Sequence, residues 1–235
     1  YPGVLMIHMR SLKVAFALLW GVFFLCKGQE YQRFEASYSI KEQLTDKSQS
    51  LQIGKVYYNS VTDQICYDIS FPRKERVIVC DTFMITIGEN GSKTAVTGLG
   101  LVSFSIFSLL LKSDLSYYGL KKLPYKMLDI HYEDTLVISK WQVFDNVRTN
   151  MPVISLAQCN KRLYSFVGFD RNDNIVTRQF YENYETINGL SIPTQVITFY
   201  YINNEESIKW LILRDIRINN FRNDEYYVFS VFDFL

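Results

Sequence analysis

The sequence predicts a mainly β protein: a curved antiparallel sheet, an open half-barrel of about ten or eleven strands, wrapped around one apolar helix. Three observations carry this reading. Apolar and polar residues alternate with period two along most of the chain, as in Phe34, Ala36, Tyr38 and Ile40 set between Glu35, Ser37, Ser39 and Lys41. Turn signals punctuate the alternation at short intervals, the strongest being Asn188-Gly189. One stretch, residues 101–120 (LVSFSIFSLLLKSDLSYYGL), breaks the pattern. There Phe104, Phe107 and Leu111 fall on one helical face while Ile106, Leu109 and Leu110 cover the other, so a helix has no wet stripe. Such a helix must be surrounded by protein, or by protein that holds something greasy. It cannot span a bilayer, because Lys112, Ser113 and Asp114 interrupt it well short of the roughly 20 apolar residues required.

Residues 1–28 read as targeting sequence rather than fold. The first residue is Tyr1, and Met9 is the expected start, which makes residues 1–8 an upstream extension. Arg10 and Lys13 form a basic region, residues 15–25 (AFALLWGVFFL) an apolar one, and Cys26-Lys27-Gly28 a small-x-small cleavage site. A secretory signal peptide is the reading, with one domain expected over residues 29–235.

In order, strands are expected at residues 34–40, at 51–56 after the polar turn of residues 45–50, and at 65–71, where Ile65, Tyr67, Ile69 and Phe71 alternate with Cys66, Asp68 and Ser70. Residues 72–76 turn the chain into a strand at 77–80, and another at 83–87 ends in the hairpin signal Gly88-Glu89-Asn90-Gly91. The apolar helix follows, its end marked by Gly119 and Pro124. Strands then resume at residues 127–132, 135–143 and 153–156, with a less regular segment at 145–152. The remainder is a meander through residues 163–169, 175–187, 190–202 and 208–218, turning at 171–174, 188–189 and 203–206.

The composition excludes several classes of function. With 25 basic and 24 acidic residues the formal charge is +1, so no global field recruits nucleic acid. Seventeen tyrosines and seventeen phenylalanines suit strands and an aromatic-lined interior. After the signal there is one histidine, His131, which rules out zinc sites built on two histidines and reads as a strand residue. Residues 88–94 (GENGSKT) resemble a phosphate-binding loop, but Ser92 replaces the required glycine and no helix follows directly, so a hairpin tip is expected. Asp170, Asp173 and Asn174 are too few oxygen ligands for a calcium loop and fit a turn. No catalytic residues, metal or cofactor are expected, and the protein is not read as an enzyme. Cys66 and Cys80 lie on strands joined by the turn at 72–76; a Cys66–Cys80 disulfide is one reading, and buried free thiols at Cys66, Cys80 and Cys159 are the other.

The order of elements resembles the LolA-like family of periplasmic lipoprotein carriers and sorting proteins, in which an open β-barrel is lidded by helices over an acyl-chain cavity. The segment IFSLLLKSDLSYYGL at 106–120 is similar to that family's short helix followed by an acidic turn and an aromatic pair. Tyr67-Asp68-Ile69-Ser70-Phe71-Pro72, residues 77–80 with Asp81, and the later Tyr184, Gly189, Ile192-Pro193-Thr194 and Val196 match its strand endings and hairpin. Two features depart from the family. No amphipathic helix follows the signal, and Asn59-Ser60-Val61 stands where the carriers have an Arg-Pro whose arginine latches the lid.

The resemblance implies a periplasmic, monomeric carrier that binds lipoprotein acyl chains or other lipids in a hydrophobic cavity and passes them toward the outer membrane. Its partners would be the lipid and a membrane or outer-membrane acceptor protein. Leu101, Phe104, Phe107, Leu110 and Leu111 are the expected helical wall of that cavity, with Tyr67, Ile69 and Phe71 on the sheet; plain core packing is the other reading for each. The alternative function is an envelope sensor or protein-interaction module on the same fold with a filled core.

Overall fold

The first half of the chain forms β1 (Arg33–Gln43), β2 (Gln49–Asn59), β3 (Gln64–Phe71), β4 (Glu75–Val79), β5 (Phe83–Gly88) and β6 (Lys93–Thr97). The second half forms β7 (Tyr125–Glu133), β8 (Leu136–Val143), β9 (Val153–Cys159), β10 (Arg162–Phe169), β11 (Ile175–Ile187), β12 (Leu190–Ile202) and β13 (Glu205–Ile218). This computed structural model describes residues 30–97, 102, 105–202 and 205–229. Residues 1–28, for which a targeting role is expected from the sequence, lie outside the described residues, as do Leu101 and Phe104.

All thirteen strands pair antiparallel in one open sheet, ordered β6-β5-β4-β3-β2-β1-β13-β12-β11-β10-β9-β8-β7. Every pairing but one joins strands consecutive in sequence. The exception is β1 with β13, where Phe34 faces Ile218 and Gln43 faces Ile208. The sheet thus grows outward from its centre in two meanders and ends in two free edges, β6 and β7. Residues 105–124, which fall between β6 and β7 in the chain, pack their apolar side chains against the inner face. They hold helix α1 (Ile106–Leu111) and the 3-10 turns Leu115–Tyr117 and Leu120–Lys122.

Two sequence expectations need correction here. Among the described residues the strands number thirteen rather than ten or eleven, and the one outside every expected range is Lys93–Thr97, the far side of the 88–91 hairpin, which pairs with β5 and forms the edge. GENGSKT accordingly spans a hairpin, with Gly91 at φ 77°. The helix is six residues long rather than running through the apolar stretch. Ser105 caps its start, the hydroxyl accepting from the Ser108 N–H at 3.2 Å. Its end falls where the buried surface ends: Lys112 cannot enter an apolar interior unpaired, and its ammonium instead reaches Asp63 in the β2–β3 turn at 2.8 and 3.0 Å. Ser113 then takes a left-handed conformation, φ 57°, which turns the chain out of the helix.

Five of the six α1 residues are buried: Phe107, Ser108, Leu109, Leu110 and Leu111. They pack into a core drawn from the inner faces of both half-sheets, including Phe34, Tyr38 and Tyr58 on one side and Leu156, Phe166 and Ile192 on the other. The Phe107 ring lies 5.1 Å from Phe34 and 6.4 Å from Tyr67. A sheet that contacts one short helix from so many strands must bend round it, which is why the barrel is half-closed.

The outer face carries a second, smaller cluster under the chain that leaves β13. Tyr226 stacks on Tyr57 at 4.5 Å, Tyr227 meets the same ring edge-on, and the Arg76 guanidinium lies 4.2 Å above Tyr226. The Gln64 side-chain amide donates to the Phe229 carbonyl and accepts from its N–H, fixing this strap to β3. Beneath it lie Cys66, Ile78 and Cys80. Cys66, Cys80 and Cys159 are free thiols, the first two buried and Cys159 only half-buried. Cys66 sits opposite Ile78, so Cys80 is displaced along the neighbouring strand. Diagonal neighbours of that kind have Cα atoms about 7–8 Å apart, outside disulfide reach.

Two expectations follow. Phe107→Ala should cost about 3–5 kcal/mol of folding free energy in equilibrium urea denaturation, because the cavity it leaves is enclosed by rings on both sides. The second concerns high pH. Burial pushes the Cys66 thiol up from 9.0 to about 12 and the Tyr38 phenol up from 10.0 to about 12. Both stay protonated in the folded chain after the unfolded chain has ionised, so the unfolded state binds fewer protons and gains stability as pH rises. Denaturation midpoints should hold level to about pH 8 and fall progressively between pH 9 and 12.

Candidate functional site

The inner face is not uniformly filled. Past the end of α1 the connection makes a tight reversal, with Tyr118 at φ 51° and Gly119 at φ 68°. Two left-handed residues in succession turn the apolar chain back over the second half-sheet, where Tyr118 packs on Phe166 with ring centroids 4.5 Å apart. Leu120, Leu123 and Pro124 then run beside β9 and β10, while residues 147–151 close over from the β8–β9 connection. Between these segments and the sheet lies a cavity of about 500 Å³.

Leu120, Ile154 and Phe166 are its buried apolar lining, and Leu123, Val147, Thr149 and Met151 are its half-buried rim. Gly168 makes room for Met151, since a Cβ there would come within 2.5 Å of the methionine sulfur. An unbranched thioether on the rim can shift to suit what enters. Several polar groups along the wall already have partners. The Tyr125 hydroxyl donates to the Met151 carbonyl at 2.7 Å, the Thr177 hydroxyl to the Phe199 carbonyl at 3.1 Å, and the Tyr181 hydroxyl to Gln179 Oε1. Tyr118 joins this last group, and burial raises its phenol above the ordinary 10.0, so it stays neutral. What the cavity offers an occupant is hydrocarbon and aromatic surface, the chemistry that takes up an aliphatic chain. Its size falls within the range of small-molecule sites.

The residues read from the sequence as lining sit elsewhere. Phe107, Leu110 and Leu111 are 3%, 3% and 5% exposed and belong to the core packed between the two half-sheets. Tyr67 lies against the same core, edge-on to Tyr38 at 5.6 Å. Ile69 is buried, and Phe71, at the end of β3, is half exposed. None of these six lines the 500 Å³ cavity. Leu101 and Phe104 lie outside the described residues. The lining that sequence reading passed over comes from the tail of the apolar segment, Tyr118 to Leu123, and from the irregular residues 147–151. The available signal was an aromatic pair followed by glycine and proline within an apolar run, a shape that alternation counts cannot detect.

His131 stands on the exposed edge strand β7, its Nδ1 3.4 Å from Asp129. Among the described residues no helix is long and apolar enough to cross a membrane, and no three His, Cys, Asp or Glu side chains gather as a metal site would need.

No family model and no curated protein matches the sequence. Solved structures do match. One is a LolA superfamily protein from Nitrosomonas europaea, 15% identical, with a TM-score of 0.57 over 88% of this chain and 93% of that one. A second is a DUF1329 family protein from Desulfovibrio piger, 14% identical, TM-score 0.59, covering 83% of this chain and 89% of that one. A third is a domain named for outer membrane lipoprotein sorting, from Vibrio parahaemolyticus, 10% identical, TM-score 0.59, again over 83% and 89%. The open antiparallel sheet, the connection carried across its inner face and these likenesses agree: the chain has a LolA-like fold.

Proposed function

We propose that the protein is a periplasmic lipid carrier that shelters acyl chains, those of lipoproteins or of other lipids, and passes them toward the outer membrane. The observation that supports this reading is the apolar cavity of about 500 Å³ held open between the inter-edge connection and the second half-sheet of a LolA-like fold. One of the fold's neighbours is itself named for lipoprotein sorting. In this reading residues 1–28 export the chain and residues 29–235 form the carrier domain. The acceptor is a membrane or an outer-membrane protein.

Binding in such a cavity is driven by burial. At about 0.8 kcal/mol per methylene, ten methylenes contribute roughly 8 kcal/mol before the ordering of chain and rim is subtracted. Specificity for chain identity is loose, because hydrocarbon surface does not distinguish one aliphatic chain from another. Transfer then needs only an acceptor that buries the chain better. The wall formed by Phe107, Leu110 and Leu111 has a supporting part in this scheme: it anchors the connection so that the segment beyond it can arch over the cavity.

The test begins with protein purified without detergent after export in a bacterial host, followed by mass spectrometry of an organic extract. Stoichiometric lipid or acylated peptide is expected. Val147→Glu places a carboxylate on the cavity rim and should lower affinity for a fluorescent fatty acid at least tenfold, since burying an unpaired charge costs several kcal/mol. The thermal transition should change little, because Val147 is only half buried. An empty protein that takes up no fatty acid, with a variant indistinguishable from it, would leave the protein-interaction module as the better account.

A further inference from the structure

The cavity adjoins a second depression of a different character. Thr149 and Tyr200 line both, so the two spaces meet at those residues. The second space, about 1090 Å³ and open to solvent, is formed by residues 148–150, the β10–β11 turn and the facing ends of β12 and β13. Its lining is mixed, with polar groups set beside Val176, Tyr201 and Ile202, where the cavity's is almost wholly apolar. Arg148 and Arg171 border it, together with the amides of Asn150 and Asn172.

The charges there are unequally used. Its one acid, Asp170, is turned inward to its own hairpin: Oδ1 accepts from the N–H groups of Asn172 at 2.8 Å and Asn174 at 2.9 Å, and Oδ2 accepts from the Asn174 side-chain amide at 2.9 Å. Among the described residues neither Arg148 nor Arg171 forms an ion pair. Both are exposed. Two uncommitted guanidinium groups, each a planar fork suited to phosphate or carboxylate oxygens, therefore stand beside the entrance to a hydrocarbon-lined pocket.

We infer that this depression is the head-group subsite of the cavity, and that the ligand is an amphiphile whose aliphatic chain enters past Thr149 and Tyr200 while its anionic head, phosphate or carboxylate, pairs with Arg148 and Arg171. The inference rests on the proposal that the cavity takes an aliphatic chain, and it adds the polarity of what that chain is attached to. The two spaces assign opposite ends of one molecule to opposite chemistries. Loose selection for the chain is then accompanied by selection for charge at the head, and the orientation of the bound lipid is fixed with its head outward.

The experiment compares lysophosphatidylglycerol, a fatty acid and a monoacylglycerol, all of one chain length and below their critical micelle concentrations, for displacement of a neutral fluorescent chain probe from the full-length protein. The two anionic amphiphiles should bind about tenfold more tightly than the neutral one at low ionic strength. The preference should shrink as salt is raised. In the double variant Arg148→Gln/Arg171→Gln the anionic-to-neutral affinity ratio should fall close to one. Equal affinities in the unaltered protein, or a ratio that survives the double substitution, would overturn the head-group assignment while leaving chain binding intact. If no amphiphile displaces the probe, and the probe itself binds only weakly, the acyl-chain reading fails and the inference goes with it. Inorganic phosphate separates the remaining source: millimolar phosphate should neither bind nor compete. Phosphate binding in the Val147→Glu variant at the strength of the lysolipid would show a free-anion site in its place.

Discussion

The fold depends on the burial of one short apolar segment inside a sheet that bends round it. Among the described residues, thirteen antiparallel strands with two unjoined edges have a hydrophobic inner face and no second sheet to cover it. The connection from β6 to β7 supplies the cover, and α1, buried on five of its six residues, is the part that touches both half-sheets. The curvature, the open edges and the position of the cavity follow from that placement. Where the segment is helical it packs tightly; where it leaves the helix and reverses at Tyr118 and Gly119 it spans the sheet without filling the space below.

The division of labour along this connection explains how much of the molecule was legible in the sequence. Strand positions were readable where polar and apolar residues alternate, as Phe34, Ala36 and Tyr38 do with their neighbours, although the outer face of β2 to β4 is partly covered, burying Tyr57, Cys66 and Ile78. β6 was not, since Lys93 to Val96 are exposed on an edge and no inner-face requirement imposes a period on them. The apolar helix was recognised as something that must be enclosed, but its length was overread. Apolar composition continues through Leu115 and Leu120, and only the charge at Lys112 with the left-handed turn at Ser113 reveals that backbone and hydrophobicity part company there. The described cavity lies further along the connection, at Tyr118 to Pro124, and Phe107, Leu110 and Leu111 do not line it. A helix with no wet stripe looks like a ligand wall and like a core, and in this fold it is core.

Polar chemistry is arranged around that apolar centre with similar economy. Lys112 ends the helix and ties it to Asp63, which also accepts the Tyr58 hydroxyl at 2.7 Å. The link joins the connection to the β2–β3 turn, close to Asn59-Ser60-Val61. In this chain the basic partner sits on the covering segment and the acidic one on the sheet, both about one-third exposed, so the pair guides position more than it adds stability. On the outer face the strap at Tyr226 and Tyr227 performs the corresponding task for β2 to β4, with arginines laid over the rings instead of a hydrophobic layer.

The single long-range strand pairing sets an order of assembly. Eleven of the twelve strand junctions are hairpins that close over short loops, whereas β1 must find β13 from the far end of the domain. Each meander can therefore form early and alone, but neither has a complete inner face until the two are joined. Until β13 has emerged, β1 is a second exposed edge and the apolar connection has only half of its enclosure. Loop-closure entropy makes this the slow step, and the intermediate before it displays both a sticky strand and a greasy helix. A chain built this way needs protection from its own kind during synthesis, and its most aggregation-prone moment comes just before the last strand docks.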